Sequence, residues 1–420
     1  MSDALPLSVT PNLDQYEKLA HALHQACQSG DPIAVRIWAS HWTGEHQADR
    51  IARFWTKFQK TTDRAQCALP EAQFFIARIH GFANWQAFGT HLEELGSPQS
   101  LVSKYEAAVD AIISGDSPGL ETLLRENPDL ATARSLREHR STLLHYVSAN
   151  GVEDFRQKTP ANIVAITKLL LDAGADVNAE SDAYGGRSTA LGLTATSYHP
   201  DAAGVQLPLM ELLIRHGAAI DGPDQGSAVV GCLHNGRGRA AEFLADHGAR
   251  LDLEGAAGIG RLDIVQSFFT VEGSLMPSAT QQQLIDGFKW ACEFGRHSVV
   301  DFLLKNGIRA DAKYADGATG LHWAAYQAST ETVTLLLEHG ALVDVIDERY
   351  HGTPLEWALY GWGGSPTERP SYYEVVAILA RAGAKPDPEW FADDEDRLRA
   401  AARLRSDPRM QAALRGDTCE

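Results

Sequence analysis

Cysteine is scarce in this chain. Five residues, Cys27, Cys67, Cys232, Cys292 and Cys419, are scattered over 420 positions without a Cys-x-x-Cys pair. That scatter fits a reducing cytoplasm. Long apolar runs are missing too: none approaches the roughly 18 residues a membrane helix needs. The first residues, MSDALPLSVTPNLDQYEK, have neither a basic start nor an apolar core, so no secretory signal is expected and the location expected is cytoplasmic. Basic charge is in deficit, with 37 Lys and Arg against 55 Asp and Glu, a formal net charge of −18. A phosphate backbone would be repelled overall, and no local basic face stands out, so neither a nucleic-acid nor a membrane partner is expected. Enzyme signatures are lacking as well. There is no Gly-x-Ser-x-Gly elbow, no phosphate loop ending in Gly-Lys-Ser/Thr and no His-Glu-x-x-His.

What is present is helical periodicity. Leu13, Tyr16, Leu19, Ala20, Leu23 and Ala26 recur at three- and four-residue steps. Ser29-Gly30-Asp31-Pro32 reads as a stop and a new start, residues 33–43 as a second helix, and 44–68 as a helix with a loop. Leu69 to Leu95 reads as two helices, the first carrying Phe74, Phe75 and Ile79 and ending at Gly81, the second capped by Asn84 and carrying Trp85, Phe88 and Leu92. A DNA-reading helix-turn-helix is the competing interpretation here, but the second helix offers few basic or amide side chains for a groove. Gly96-Ser97-Pro98 marks a boundary.

Beyond it the chain repeats. Gly317 to Val345 holds Thr319, Leu321, His322, Ala324 and Ala325 at the head of one helix. A second helix with Val333, Leu335, Leu336 and Leu337 ends at Gly340. Equivalent glycines stand at Gly174, Gly217, Gly248, Gly307 and Gly383, with successive separations of 43, 31, 59, 33 and 43 residues. The 59-residue gap splits at Gly273 into a short unit whose second helix carries Leu262, Val265, Phe268 and Phe269. The longer gaps hold insertions at 198–206 and 361–371, and a third lies at 150–160. All three fall between the first and second helix of a unit.

The Thr-x-Leu-His-x-Ala opening and the period near 33 residues closely resemble the ankyrin repeat. The resemblance implies an all-α solenoid of about eight helix pairs with short hairpin loops. It would span 99–391, preceded by a small helical domain (1–98) and closed by a helical cap and tail (392–420). The helical segment at 69–95 is similar to one found ahead of ankyrin repeats in some bacterial proteins. In the tail, Arg397, Arg399, Arg403 and Arg405 are expected to form the polar face that protects the last core surface.

The resemblance also implies a use: recognition of a protein or peptide on the concave face, without catalysis. The residues after the Ala-Ala of each first helix, with the hairpin tips, are where such proteins make contacts. Here these are Ala149 and Asn150, His234 and Asn235, Glu293 and Phe294, Tyr326 and Gln327, and Tyr360. Trp290, Trp323 and Trp357 recur at 33 and 34 residues, with Tyr146 as an earlier counterpart. They form either an inter-repeat packing ladder or an aromatic floor that would put Trp323 among the contacts. His145 and His322 fall on the signature His, whose role is to join repeats. His199, His234 and Cys232 lack zinc-ligand spacing, so neither a metal nor a cofactor is expected. The alternative is an enzyme or small-molecule binder using a pocket between the groove and the inserted loops.

Overall fold

The computed structural model describes residues 4–8, 11–62, 67–222, 226–364, 370–392 and 395–417. Contacts divide the chain into two compact units, Met1–Ile220 and Asp221–Glu420.

The first unit opens with α1 (Leu13–Gln28), α2 (Ala34–Ser40), α3 (Glu45–Thr62), α4 (Leu69–Ile79) and α5 (Trp85–Leu95). Asn12 and Asn84 cap α1 and α5, each side chain accepting a backbone N–H of the first turn. Tyr16, Trp38, Trp55, Phe75, Ile76, Phe82 and Phe88 form a core for these helices. The last α3 turn leads towards 63–66, so the loop expected there lies partly outside the described residues. Residues 1–3 and 9–10 lie outside them as well. One expectation needs correction: Cys27, at the end of α1, and Cys67, just before α4, form a disulfide, their Cα atoms 5.8 Å apart. Forty residues separate them in sequence, and only the packing of α1 against α4 brings them together. Cysteine usage therefore no longer argues for a reducing compartment. Cys419 lies outside the described residues.

Three helix pairs follow: α6 (Leu101–Ser114) with α7 (Ser117–Glu126), α8 (Leu143–Tyr146) with α9 (Ile163–Asp172), and α10 (Ala190–Thr196) with α12 (Gln206–Arg215). The insertion at 198–206 forms a short extra helix, α11 (Tyr198–Ala202). A two-residue hairpin, β1 (Glu180–Ser181) against β2 (Ser188–Thr189), leads into α10. First helices pack on first helices and second on second. His145 shows how the units are joined. Its Nδ1 accepts the Thr142 N–H at 3.1 Å, and its Nε2 donates to the Ser188 carbonyl of the next hairpin at 3.1 Å. Tyr146 is wholly buried and packs beside Tyr105, so in this unit the aromatic counterpart is core.

The insertion at 150–160 turns inward. Glu153 and Arg156 join Glu106 of α6 and Arg137 of the preceding hairpin in a buried ionic cluster. Arg137 reaches Glu106 at 2.6 Å and Glu153 at 2.7 Å, and Arg156 reaches Glu106 at 2.7 Å. Burial alone would raise the Glu106 carboxyl, but the two guanidiniums outweigh it and hold it down at about 2. The Arg137 guanidinium also lies over the Phe82 ring, and the Glu138 N–H donates to the Gly81 carbonyl at 2.9 Å. The amino-terminal helices are thus docked on the first pairs, through Arg137 and its neighbour. Asn150 is half-buried, its amide donating to the Leu193 carbonyl and to Thr196 of the next pair.

The second unit holds five pairs: α13 (Ala228–His234) with α14 (Gly238–Asp246), α15 (Leu253–Ile259) with α16 (Leu262–Gln266), α17 (Gln281–Glu293) with α18 (His297–Lys305), α19 (Gly320–Tyr326) with α20 (Thr330–Glu338), and α21 (Pro354–Gly364) with α22 (Pro370–Arg381). A sixth, α23 (Glu395–Ser406) with α24 (Pro408–Ala413), closes it. The short unit is shorter than its apolar pattern suggests. Phe268 and Phe269 lie beyond α16, Phe269 bridging to Leu275.

Small residues in the first helices let neighbours come close. A side chain on Gly320 would meet the Cys292 Sγ of α17 at 2.8 Å. Leu321, Ala324, Ala325, Val333 and Leu336 are wholly buried, each large one stabilising by about 1.5–3 kcal/mol. The second helices end where expected. Gly307 (φ +93°) and Gly340 (φ +80°) sit in the left-handed region, as do the other anchor glycines, which a side chain tolerates poorly. His322 repeats the His145 joint, accepting from the Thr319 N–H at 3.0 Å and donating to the Gly352 carbonyl at 3.2 Å. In the following repeat Glu356 replaces the histidine. It accepts from the Thr353 N–H at 2.7 Å and from the Asp387 N–H of the next hairpin at 2.8 Å.

Candidate functional site

The first helices of the second unit present an aromatic row. Trp290 is buried, its indole N–H donating to Glu254 at 2.8 Å. The Lys289 ammonium lies between Trp290 and Trp323, 4.2 and 4.6 Å from their ring centres. Trp323 then meets Trp357 directly, centroids 5.1 Å apart and planes at 79°. The ladder expected from the spacing is therefore present as packing, one joint made through a lysine.

At its far end the row opens into a cavity of about 340 Å³, lined by Trp323, Tyr326, Tyr350, Trp357, Tyr360, Trp390 and Arg397. Trp357 is its hub. The rings of Trp323, Tyr326 and Tyr350 stand nearly perpendicular to it at 79°, 81° and 76°. Its own N–H donates to Asp347, which also accepts the Arg349, Tyr350 and Gly352 N–H groups. Burial would raise that carboxyl, but these donors hold it below the usual range. Trp390 donates to the Tyr350 carbonyl at 3.0 Å, and the Arg397 guanidinium lies 4.2 Å over the Trp390 ring while donating to the same carbonyl.

Three of the residues expected from sequence, Trp323, Tyr326 and Tyr360, line this cavity, and the others do not. His234 is exposed with its ring edge against Trp290, and the Asn235 amide turns back to the Gly231 carbonyl of its own helix. Phe294 is pressed against Gly238, leaving no room for a side chain there. Gln327 is exposed at the end of α19. Tyr350 and Trp390 lie before α21 and α23 respectively, positions the hairpin tips of the repeat would have indicated. Arg397 and Arg403 do not present a polar face: both stack on tryptophan, Arg397 on Trp390 and Arg403 on Trp362. The lining residues all belong to the second unit. None comes from the inserted stretch at 361–371, of which 365–369 lie outside the described residues. Among the described residues, no three His, Cys, Asp or Glu side chains are grouped to hold a metal ion, and no helix is long and apolar enough to cross a membrane.

Glu293 is buried beside this row, with Oε2 unpartnered among the described residues. Burial pushes its carboxyl up to about 7, against the pull of Lys289. The unfolded chain releases this proton near pH 4.5, so the buried acid costs stability increasingly between pH 4.5 and 7. Glu293→Gln is expected to stabilise the chain by about 1–3 kcal/mol at pH 8 and by little at pH 5. Urea titrations at both pH values check this, and equal gains at the two would place the cause elsewhere.

Residues 288–389 match the family model described as ankyrin repeats, in three copies. This stretch carries ankyrin repeats. The matched copies cover the second part of α17 and all of α18 to α22, the stretch that supplies five of the seven cavity residues. The crystal structure of the human ASB11 ankyrin repeat domain is similar at 21% identity, with a TM-score of 0.34, over 67% of this chain and 99% of that one. Ankyrin repeats are generally protein-interaction modules.

Proposed function

We propose that this chain is a binding module without catalysis of its own, and that the first-helix and hairpin side of its repeats, concave in the stack, recognises a protein or peptide partner. Residues 99–391 then act as the recognition solenoid, 1–98 as an accessory and capping domain, and 392–420 as the closing cap. The observation that carries this reading is the aromatic cavity between Trp323 and Trp390, where Trp323, Tyr326, Trp357 and Tyr360 stand on α19 and α21 and Tyr350 and Trp390 close it from the hairpins. Aromatic anchors in such pockets dominate interface energies, and groups already held in place lose little entropy on binding. The net charge of −18 favours a basic partner.

A small molecule is the second reading, because a cavity of about 340 Å³ falls within the size of ligand pockets. Affinity purification from native extract, followed by native mass spectrometry, separates the two. A retained protein supports the first reading and a retained metabolite the second. The variant Tyr326→Ala/Tyr360→Ala is expected to reduce retention of the protein at least about tenfold with near-normal thermal stability. Undiminished retention would move the surface elsewhere on the chain.

A further inference from the structure

Resting on that reading, we propose that the cavity takes a proline-rich segment of the partner in the polyproline II conformation. Six of the seven lining residues are aromatic and the seventh is Arg397, so no carboxylate or amide side chain lines the cavity among the described residues. The indole groups of Trp357 and Trp390 are already used on Asp347 and the Tyr350 carbonyl. The hydroxyls of Tyr326, Tyr350 and Tyr360 make no hydrogen bond with the described residues, so three of the lining side chains keep an O–H free to donate. The cavity therefore presents ring faces and hydroxyls free to donate, with no carboxylate or amide side chain to receive an N–H.

A proline-rich segment is the complement of that surface. Each proline brings a carbonyl acceptor and no N–H. In polyproline II the carbonyls have no internal partner and project outward, while the rings offer flat apolar faces. Such a segment also enters already extended, so little chain entropy is lost. A helical ligand would fit worse, because its carbonyls are bonded within the helix and would leave the tyrosine hydroxyls unmatched. A cationic side chain is disfavoured by the Arg397 guanidinium in the wall, buried with only 6% exposure. The nearest aromatic slot, between Trp290 and Trp323, is already filled by Lys289. The net charge of −18 adds a preference for Lys or Arg flanking the prolines.

The test is titration of the full chain with synthetic peptides, followed by intrinsic tryptophan fluorescence. The probes are a tryptophan-free proline-rich peptide with basic flanks, the same peptide with every proline replaced by alanine, and a trimethyllysine peptide. The expected result is saturable binding of the first, at least about tenfold tighter than the other two. Tyr326→Phe, Tyr350→Phe and Tyr360→Phe keep the rings and remove only the hydroxyls, so they leave the fold in place. Each is expected to weaken the proline peptide about fivefold, the size of one hydrogen bond. Equal affinity for the alanine peptide, preference for trimethyllysine, or indifference to all three hydroxyl deletions would overturn the assignment. If the proline peptide fails while partner retention still depends on Tyr326 and Tyr360, the proline assignment falls and the peptide-binding face stands. If both fail, the face itself is wrong.

Discussion

Arg137→Ala is expected to cost about 3–5 kcal/mol of stability. Arg137 lies between two carboxylates that are themselves buried, Glu106 at 2.6 Å and Glu153 at 2.7 Å, with 3% of the residue exposed. Removing it leaves two carboxylates facing the single guanidinium of Arg156, an uncompensated negative charge in a region water does not reach. It also removes the cation over Phe82 and with it part of the docking of the amino-terminal helices. The loss should appear in urea titrations as a lowered midpoint for the first unit. Adding Glu153→Gln to the variant removes the surplus charge and should recover part of the loss, giving strong non-additivity. A single Arg137→Ala variant within about 1 kcal/mol of the parent would show the cluster to be open to solvent.

Acid should unfold the chain well above the pH at which carboxylates alone would act. His80, His91, His145 and His322 are all lowered from 6.5 to about 4, in each case chiefly by burial. The unfolded chain takes up these four protons near pH 6.5 and the folded one only near pH 4, so acid favours unfolding throughout that window. Their stabilising contribution is complete above pH 6.5 and disappears as pH falls to 4. Each histidine contributes of order 1–3 kcal/mol, against a typical total stability of about 5–15 kcal/mol. Glu293 acts with the opposite sign between pH 4.5 and 7, but as one group against four. Glu106, held at about 2, stays ionised throughout and does not contribute to this loss. Circular dichroism melts at pH 7, 6, 5 and 4.5 should show a steadily falling midpoint, and a flat profile over that range would mean that these imidazoles are hydrated in the folded chain. His322→Gln, which cannot take up the proton, should flatten the profile of the second unit.

The repeats were legible in the sequence because their signals are local. The anchor glycines are required by a left-handed residue at a helix end, and all of them are found in that conformation. The Thr-to-His spacing of three closes a hydrogen-bonded first turn at Thr142–His145 and again at Thr319–His322, and the step of 33 or 34 residues between tryptophans places them in one row. Each of these follows from helix geometry within some 35 residues, and so from the chain's own order. Three of the seven cavity residues could be named for that reason, since Trp323, Tyr326 and Tyr360 sit on first helices at positions the repeat defines.

The remainder depends on which distant residues the folded chain sets side by side. Tyr350, Trp390 and Arg397 come from two hairpins and a closing helix, and nothing in their local sequence says that they converge on Trp357. By sequence Arg397 reads as a solvated cap residue, but its stacking on Trp390 places it in the cavity wall. Glu153 and Arg156 sit in an insertion that, as a sequence, was equally compatible with a binding loop. Folded, they neutralise Glu106 and Arg137 in the interior, because a charge removed from water must find its counter-charge wherever the chain can supply one. Periodicity determines what each repeat is, whereas burial and charge pairing between non-neighbours determine which side chains stay exposed.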